Sequence, residues 1–506
     1  MSEVPIIVPG MTDQLRVGDV AVSPLPGGGY GACQISEITD EHVTLHALDW
    51  SGPRPPELTE LPDTGLVLLD HHSWSDRIAQ ISVFPQNHPM PPDLEWIGNL
   101  PVPPGVPAGG TSFSGWQSPV GDMVRQRRWE RLPEPVRAAY RALRPPEPVT
   151  ADLGGGPVTL TTSLGHLDLR SGDIPLPASG PVDWSVLDRL PRCTEITWSG
   201  PDRGLTAALA RYPLVSGVNW FDAPPLVDLS DTSVLSLRAA GDELREIRLP
   251  DGAHHLDLGP TGSRCTVRAA DRGRWLRLAL FLATPSTPAP SGLDGVRQVS
   301  LTGAGVLSAA TVTGLHEMHT LRLQWTGPPG RLDDPAALAG LPGLRLLEMV
   351  DAYGVDADLP AHLPGLRHLD IHGLRGSVAK ELRARLRRTE VGLSLAGAKS
   401  DRWLAANMDN PFRDWADDDP KAGAAACKAF AAALRAVDRL PATRTPADAE
   451  PILRTLVEAI NQIDEKWGIV DTLRREEAGD AFVTLATRAG VPTPTADDWF
   501  DKWRDF

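Results

Sequence analysis

The chain has 506 residues, with 49 Lys or Arg against 65 Asp or Glu, and a formal net charge of −16 at neutral pH. That balance argues against general nucleic-acid affinity, which needs Lys and Arg to neutralise phosphates, although a local basic patch is still possible. The length predicts several domains, and a 41% apolar content supplies material for sizeable cores. No apolar run reaches the roughly 18 residues expected of a membrane-spanning helix. The opening Met1-Ser-Glu-Val-Pro-Ile-Ile lacks the basic and long apolar stretches of a secretory leader. Cys33, Cys193, Cys265 and Cys427 lie far apart with no CxxC spacing, so neither a zinc site nor a disulfide framework is expected. A reducing cytoplasm is the natural setting for such cysteines. The excess of Arg over Lys, beside abundant Ala, Gly and Pro, reads as coding bias rather than a special role for Arg.

In chain order, residues 1–145 read as a β-rich domain. Val17 to Val22 reads as a strand, and Pro24 to Tyr30 as a hairpin turn whose glycines supply positive φ. Gly31 to Ile38 is the return strand and Val43 to Leu48 the next. This opening, Arg16-Val-Gly-Asp-Val-Ala-Val22 followed by Gly27-Gly-Gly-Tyr-Gly-Ala-Cys-Gln-Ile35, resembles the start of the immunity-26-like family. Those are bacterial proteins thought to neutralise toxins of contact-dependent competition. The likeness covers roughly the first fifty residues, and it implies a toxin as partner. Phe113, Trp116, Trp129 and Tyr140 punctuate the end of the domain. Val136 to Leu143 is helical by composition, and Pro145, Pro146 and Pro148 stop it and mark a linker.

Residues 150–400 carry repeated apolar phrases. Val296-Val299-Leu301, Met318-Leu321-Leu323, Leu344-Leu347-Met349 and Leu366-Leu369-Ile371 share the form apolar, two residues, apolar, one residue, apolar, and start 22, 26 and 22 residues apart. Leu164-Leu167-Leu169, Cys193-Ile196-Trp198 and Val215-Val218-Trp220 fit more loosely. Alternation makes one apolar face on each strand, which neighbours must stack to bury. The spacing and phrase resemble leucine-rich repeats, and the likeness implies a solenoid with an extended binding surface. Between 232 and 280 strand phrases come about every ten residues. They read either as two strands per turn, as in a β-helix-like coil, or as degenerate repeats. Thr284 to Gly292 reads as a surface loop, Lys380 to Leu386 as a short helix, and Val391-Leu393-Leu395 as a last strand. Residues 403–506 form a helical bundle, with helices over 422–440, 447–467 and 472–489 and a last turn holding Trp499, Phe500, Trp503 and Phe506. The expected architecture is thus multidomain α+β, with a β-rich domain, a leucine-rich-repeat-like solenoid and a C-terminal helical bundle.

Chemistry-bearing motifs are sparse. Asp70-His71-His72 is the densest ligand-like cluster, with His46 and Asp49 as partners if strands pair; on this stretch rests the alternative of an enzyme with its site in the N-terminal domain. The plainer reading is a polar strand end, because adjacent His residues point apart. His254-His255 reads as surface. Asp414, Asp417, Asp418 and Asp419 depart from calcium-loop spacing and read as a solvated acidic loop; Glu476 and Glu477 near Asp471 and Asp480 read as exposed helix charges. Gly27-Gly28-Gly29 lacks the Lys and helix of a phosphate cradle, and no GxSxG or HExxH motif occurs. No catalytic residue, cofactor or metal is therefore assigned. On the repeat strands, the residues between the inward positions point outward: Gln298, Ser300 and Thr302; Thr320, Arg322 and Gln324; Leu346, Glu348 and Val350; His368, Asp370 and His372. Trp325 is expected at the edge of this ladder, and Trp198 and Trp220 in the core. The leading function is a non-catalytic protein-binding scaffold. Its candidate contacts are Gln298, Ser300, Arg322, Gln324, Trp325, Glu348, His368, Asp370 and His372. A regulatory scaffold bridging two proteins is a third reading.

Overall fold

A computed structural model describes residues 15–70, 77–85, 90–107, 109, 114–142, 145–260 and 264–506. It divides into two compact units, Met1–Ile371 with Leu382–Ser394, and His372–Glu381 with Leu395–Phe506. The N-terminal sheet and nearly all the repeat strands fall in the first.

The N-terminal sheet is built from Asp19–Pro24, Tyr30–Ile38, Val43–Gly52, Gln80–Val83 and Glu95–Asn99. All neighbours pair antiparallel, and the chain-first strand lies between the second and the last. Gly27, Gly28 and Gly29 make the first hairpin with φ of 79°, 98° and 81°, a region closed to most side chains. Both faces of the sheet are covered. Cys33, Ile35, Leu45 and Ile81 pack with Trp116, Val120 and Met123 on one side. Val20, Ala32, Leu48 and Leu61 form a smaller cluster on the other. The helix Ser118–Glu130 supplies Val120 and Met123. A Cβ on Gly31 would stand 2.5 Å from Val120, so this glycine is what lets the helix approach. The sequence pattern does not show this helix: Gly121 and the run Arg125, Arg127, Arg128 obscure its apolar stripe, and packing rather than propensity holds it. The expected helix near 136–143 runs Glu134–Arg141.

From His166 onward the chain builds an eleven-stranded sheet whose members follow one another in chain order. Strands paired through Val350 run parallel and in register. One apolar row therefore runs Leu167, Ile196, Val218, Leu237, Leu256, Leu278, Val299, Leu321, Leu347 across nine strands, all of it buried. A second buried row runs Trp198, Trp220, Ala239, Leu258, Leu280, Leu301, Leu323, Met349. Trp198 and Trp220 thus sit in the core, and their indoles donate to Pro201 O and Gly200 O at 2.8 Å.

Between 226 and 268 the chain makes two strands per turn. Leu226–Asp228, Glu246–Arg248 and Thr266–Arg268 form a separate parallel sheet, with Val227, Ile247 and Val267 stacked in register. They alternate in the chain with Ser236–Ala239, His255–Leu258 and Arg277–Leu282 of the large sheet. Of the two readings open for this stretch, the two-strand turn is what forms. Its close rhythm follows because a strand, rather than a helix, fills the return half of each turn.

The second unit holds the helices Pro420–Asp438, Pro446–Trp467, Thr472–Arg488 and Thr493–Trp503. They close around Phe412, Trp415, Phe430, Leu456, Ile460 and Phe482. Each of the first three starts is written in the sequence. Asp419 accepts from Lys421 N and Ala422 N ahead of Pro420, Thr445 and Asp448 form a capping box, and Asp471 accepts from Arg474 N. Gly468 ends the second helix at φ 61°.

The acidic stretch before this bundle is not merely solvated. Asp417 pairs with Lys399, Asp418 with Arg474 at 2.5 Å, and Asp414 with Arg413 at 2.8 Å. Glu477 accepts from the Trp415 indole at 2.8 Å and from Arg474 at 2.9 Å. Asp418 and Glu477 thereby tie the acidic stretch to the helix Thr472–Arg488.

Candidate functional site

The repeat sheet buries one face, and alternation sends every second side chain the other way. The outward row Thr197, Asn219, Arg238, Asp257, Ala279, Ser300, Arg322, Glu348 crosses eight strands in register. Gln298 aligns with Thr320, Ser300 with Arg322, Thr302 with Gln324, and Arg322 with Glu348. The alignment of these rows in the sequence is the alignment in space. Gln298 and Arg322 are exposed; Ser300, Gln324, Glu348, Asp370 and His372 are partly so. Arg322 lies 3.7 Å from Glu348. Burial raises the Glu348 carboxyl and Asp370 adds to it, against the opposing charge of Arg322. His255 and Asp257 pair at 2.7 Å on the strand His255–Leu258, further along the sheet.

Three positions depart from the expected ladder. Trp325 is 1% exposed and its indole donates to Arg331 O at 3.2 Å, so it is core and no contact residue. The strand containing it continues to Asp333, which seals the indole in. His368 is buried as well, and burial lowers its pKa. Leu346, placed outward by the alternation, is buried. His372 belongs to the second unit, where it lies 3.7 Å from Asp417.

The structure adds a group that the sequence reading missed. The Arg238 guanidinium lies 5.2 Å from the Phe281 ring and 6.0 Å from Phe221, and Arg170 covers Phe221 at 3.8 Å. An outward arginine flanked by half-buried rings has the composition of a binding hot spot. Its signal was present, since alternation around Leu237 and Leu280 turns Arg238 and Phe281 outward, but the register across a two-strand turn is not readable from sequence.

Of the rival site in the N-terminal domain, the described residues include Asp70, Asp49 and His46. His71 and His72 lie outside them. Asp70 accepts from Gln126 and Arg141; burial would raise its pKa, and those hydrogen bonds and charges outweigh it and lower it. Asp49 pairs with Arg127, so the two carboxylates are engaged separately. His46 is wholly buried, and burial pushes its imidazole down to about 4. Among the described residues no three His, Cys, Asp or Glu side chains are placed to hold a metal ion. The four cysteines are buried and unpaired, and burial pushes the Cys33 thiol up to about 12. Among the described residues no helix is long and apolar enough to cross a membrane.

The sequence matches no family model and no curated protein. Among solved structures it is similar to an internalin from Listeria monocytogenes, at 14% identity and a TM-score of 0.22, over 40% of this chain and 60% of that one. A likeness that slight adds nothing to what the strand register shows.

Proposed function

We propose that the protein is a non-catalytic binding module that grips another protein with the open face of a leucine-rich-repeat-like coil. The observation that supports this reading is the outward row from Asn219 to Glu348. Charged, amide and hydroxyl groups stand there in register over side chains that are wholly buried, and Arg238 lies between two phenylalanines. Arginine and aromatic rings at a solvent-facing position are the side chains enriched in protein-binding hot spots.

A toxin as that partner, and hence an immunity role, is supported by the sequence likeness of the first fifty residues alone. A net charge of −16 suits a basic, nucleic-acid-cleaving toxin through charge complementarity. The test is co-purification from native lysate with wild type and with Arg322→Glu and Asp370→Arg. A partner held by this face is lost with the exchanges. A partner retained undiminished by both variants overturns the reading.

A further inference from the structure

The first unit also contains a cleft of about 1880 Å³ between the helix Ser118–Glu130 and the leading edge of the repeat sheet. In a chain with excess acid, nine arginines and two aspartates line it, with no lysine among its described residues. The arginines come from two directions. Arg125, Arg127 and Arg128 stand on the helix and Arg131 just after it. On the sheet side, Arg297, His319, Arg345 and Arg367 occupy the same position on successive turns. Each is tied to the next by a backbone hydrogen bond of 2.8–2.9 Å.

Neighbouring strands lie about 4.8 Å apart, so three arginines and one histidine stack here at the pitch of a sheet. Arg345 and Arg367 are adjacent in this stack; Glu390 offsets Arg367 at 2.7 Å, and Arg345 has no such carboxylate among the described residues. Burial and then the Arg297 charge push His319 down to about 4, so it stays neutral beside them. Arg128 lies so close to the loop bearing Gly252 that a Cβ there would stand 2.9 Å from its Nη1; burial lowers its pKa. Among the described residues, Arg128, Arg131, Arg277 and Arg345 have no carboxylate within ion-pair distance. Those four leave positive charge in the cleft that no carboxylate of the described residues offsets.

We infer that this cleft binds an acidic peptide segment, rich in Asp or Glu, of a protein partner. The inference rests on the protein-recognition reading only in preferring a peptide over other polyanions. Three features favour that choice. Arginine forks match carboxylates in bidentate fashion, and cleft arginines already engage one: Asp93 bridges Arg274 and Arg297 at 2.6 Å each. An extended peptide presents alternate side chains about 6.8 Å apart, within reach of arginines spaced at strand pitch. Single-stranded nucleic acid needs open aromatic platforms for its bases. Here Trp116 is buried, and the Arg274 guanidinium lies over the Trp275 ring at 5.3 Å.

The test uses the full chain and a fluorescent peptide of alternating glutamate and glycine, read by anisotropy. Its glutamine counterpart and oligothymidylate are the comparison probes. The glutamate peptide binds, weakens with added salt, and binds about tenfold or more tighter than the glutamine peptide. Arg128→Gln with Arg345→Gln weakens it about tenfold, while Arg435→Glu, on an exposed helix face of the second unit, leaves it unchanged. Equal binding of the two peptides overturns the proposal, and that comparison on wild type stands even if the double variant misfolds. Tighter binding of oligothymidylate overturns it in favour of a nucleic-acid groove. If peptide binding fails while a partner is still lost with Arg322→Glu, the cleft proposal alone falls.

Discussion

The two sheets of the first unit treat polar side chains in opposite ways. The N-terminal sheet is covered on both faces and buries Ser23, Gln34, Thr44, His46 and Ser82. Most of these are spent inside: Gln34 donates to Leu100 O at 2.7 Å, and Thr44 meets Ser82 at 3.0 Å. The repeat sheet buries an apolar face and leaves the other open, so its polar groups stand where a partner can reach them. An antiparallel sheet covered on both sides has no face left for recognition, whereas a sheet with one open face separates the residues that fold it from those that bind. A polar residue in the first sheet is therefore read as structure, and one on the open face of the second as a candidate contact.

The sharpest break in this division is Trp325, an aromatic of the repeat sheet that behaves as core. Trp325→Ala should lower stability by about 3–5 kcal/mol, seen as a fall in the denaturation midpoint. A loss of partner binding without loss of stability would return it to the surface. His46 sharpens the other side. Its folded pKa is about 4 against an ordinary 6.5, so the fold prefers the neutral ring. Its contribution is complete above pH 6.5 and is lost as pH falls towards 4. The loss is on the order of 3 kcal/mol, and His46→Leu should flatten the stability profile in that window.

Asp93 gives a smaller effect of the same kind at lower pH. Burial would raise its carboxyl, but hydrogen bonds and charge from Arg274 and Arg297 hold it below the usual range. Its stabilisation is present above about pH 4 and disappears as pH falls through the lowered value, so Asp93→Asn should blunt the acid limb of unfolding. Arg322→Glu is the smallest in stability, within about 0.5 kcal/mol of wild type, yet it should abolish partner capture.

How much of this was legible depended on whether a feature is local. The buried row through the repeat strands needed only the apolar phrase, so Val299, Leu321 and Leu347 could be aligned by eye, and the outward residues followed. The bundle helices were legible from their composition and apolar spacing, and the caps at Asp419, Thr445 and Asp471 then fix where they start. Trp325 misled because its burial comes from the chain continuing through Arg331, six residues on. The helix Ser118–Glu130 was hidden by Gly121 and its arginines, and those arginines looked like composition until Arg345 and Arg367 were seen across the cleft. No spacing in the sequence joins Arg128 to Arg345; only the fold does.

The claim on which the rest depends is that the open sheet face is where another protein sits. A photo-crosslinking side chain introduced at Ser300, and separately at Thr313 on an exposed turn between strands, tests it in native lysate. The account predicts one covalent adduct from Ser300, suppressed by excess unlabelled protein, and none from Thr313. The same adduct from Thr313, with none from Ser300, would contradict it.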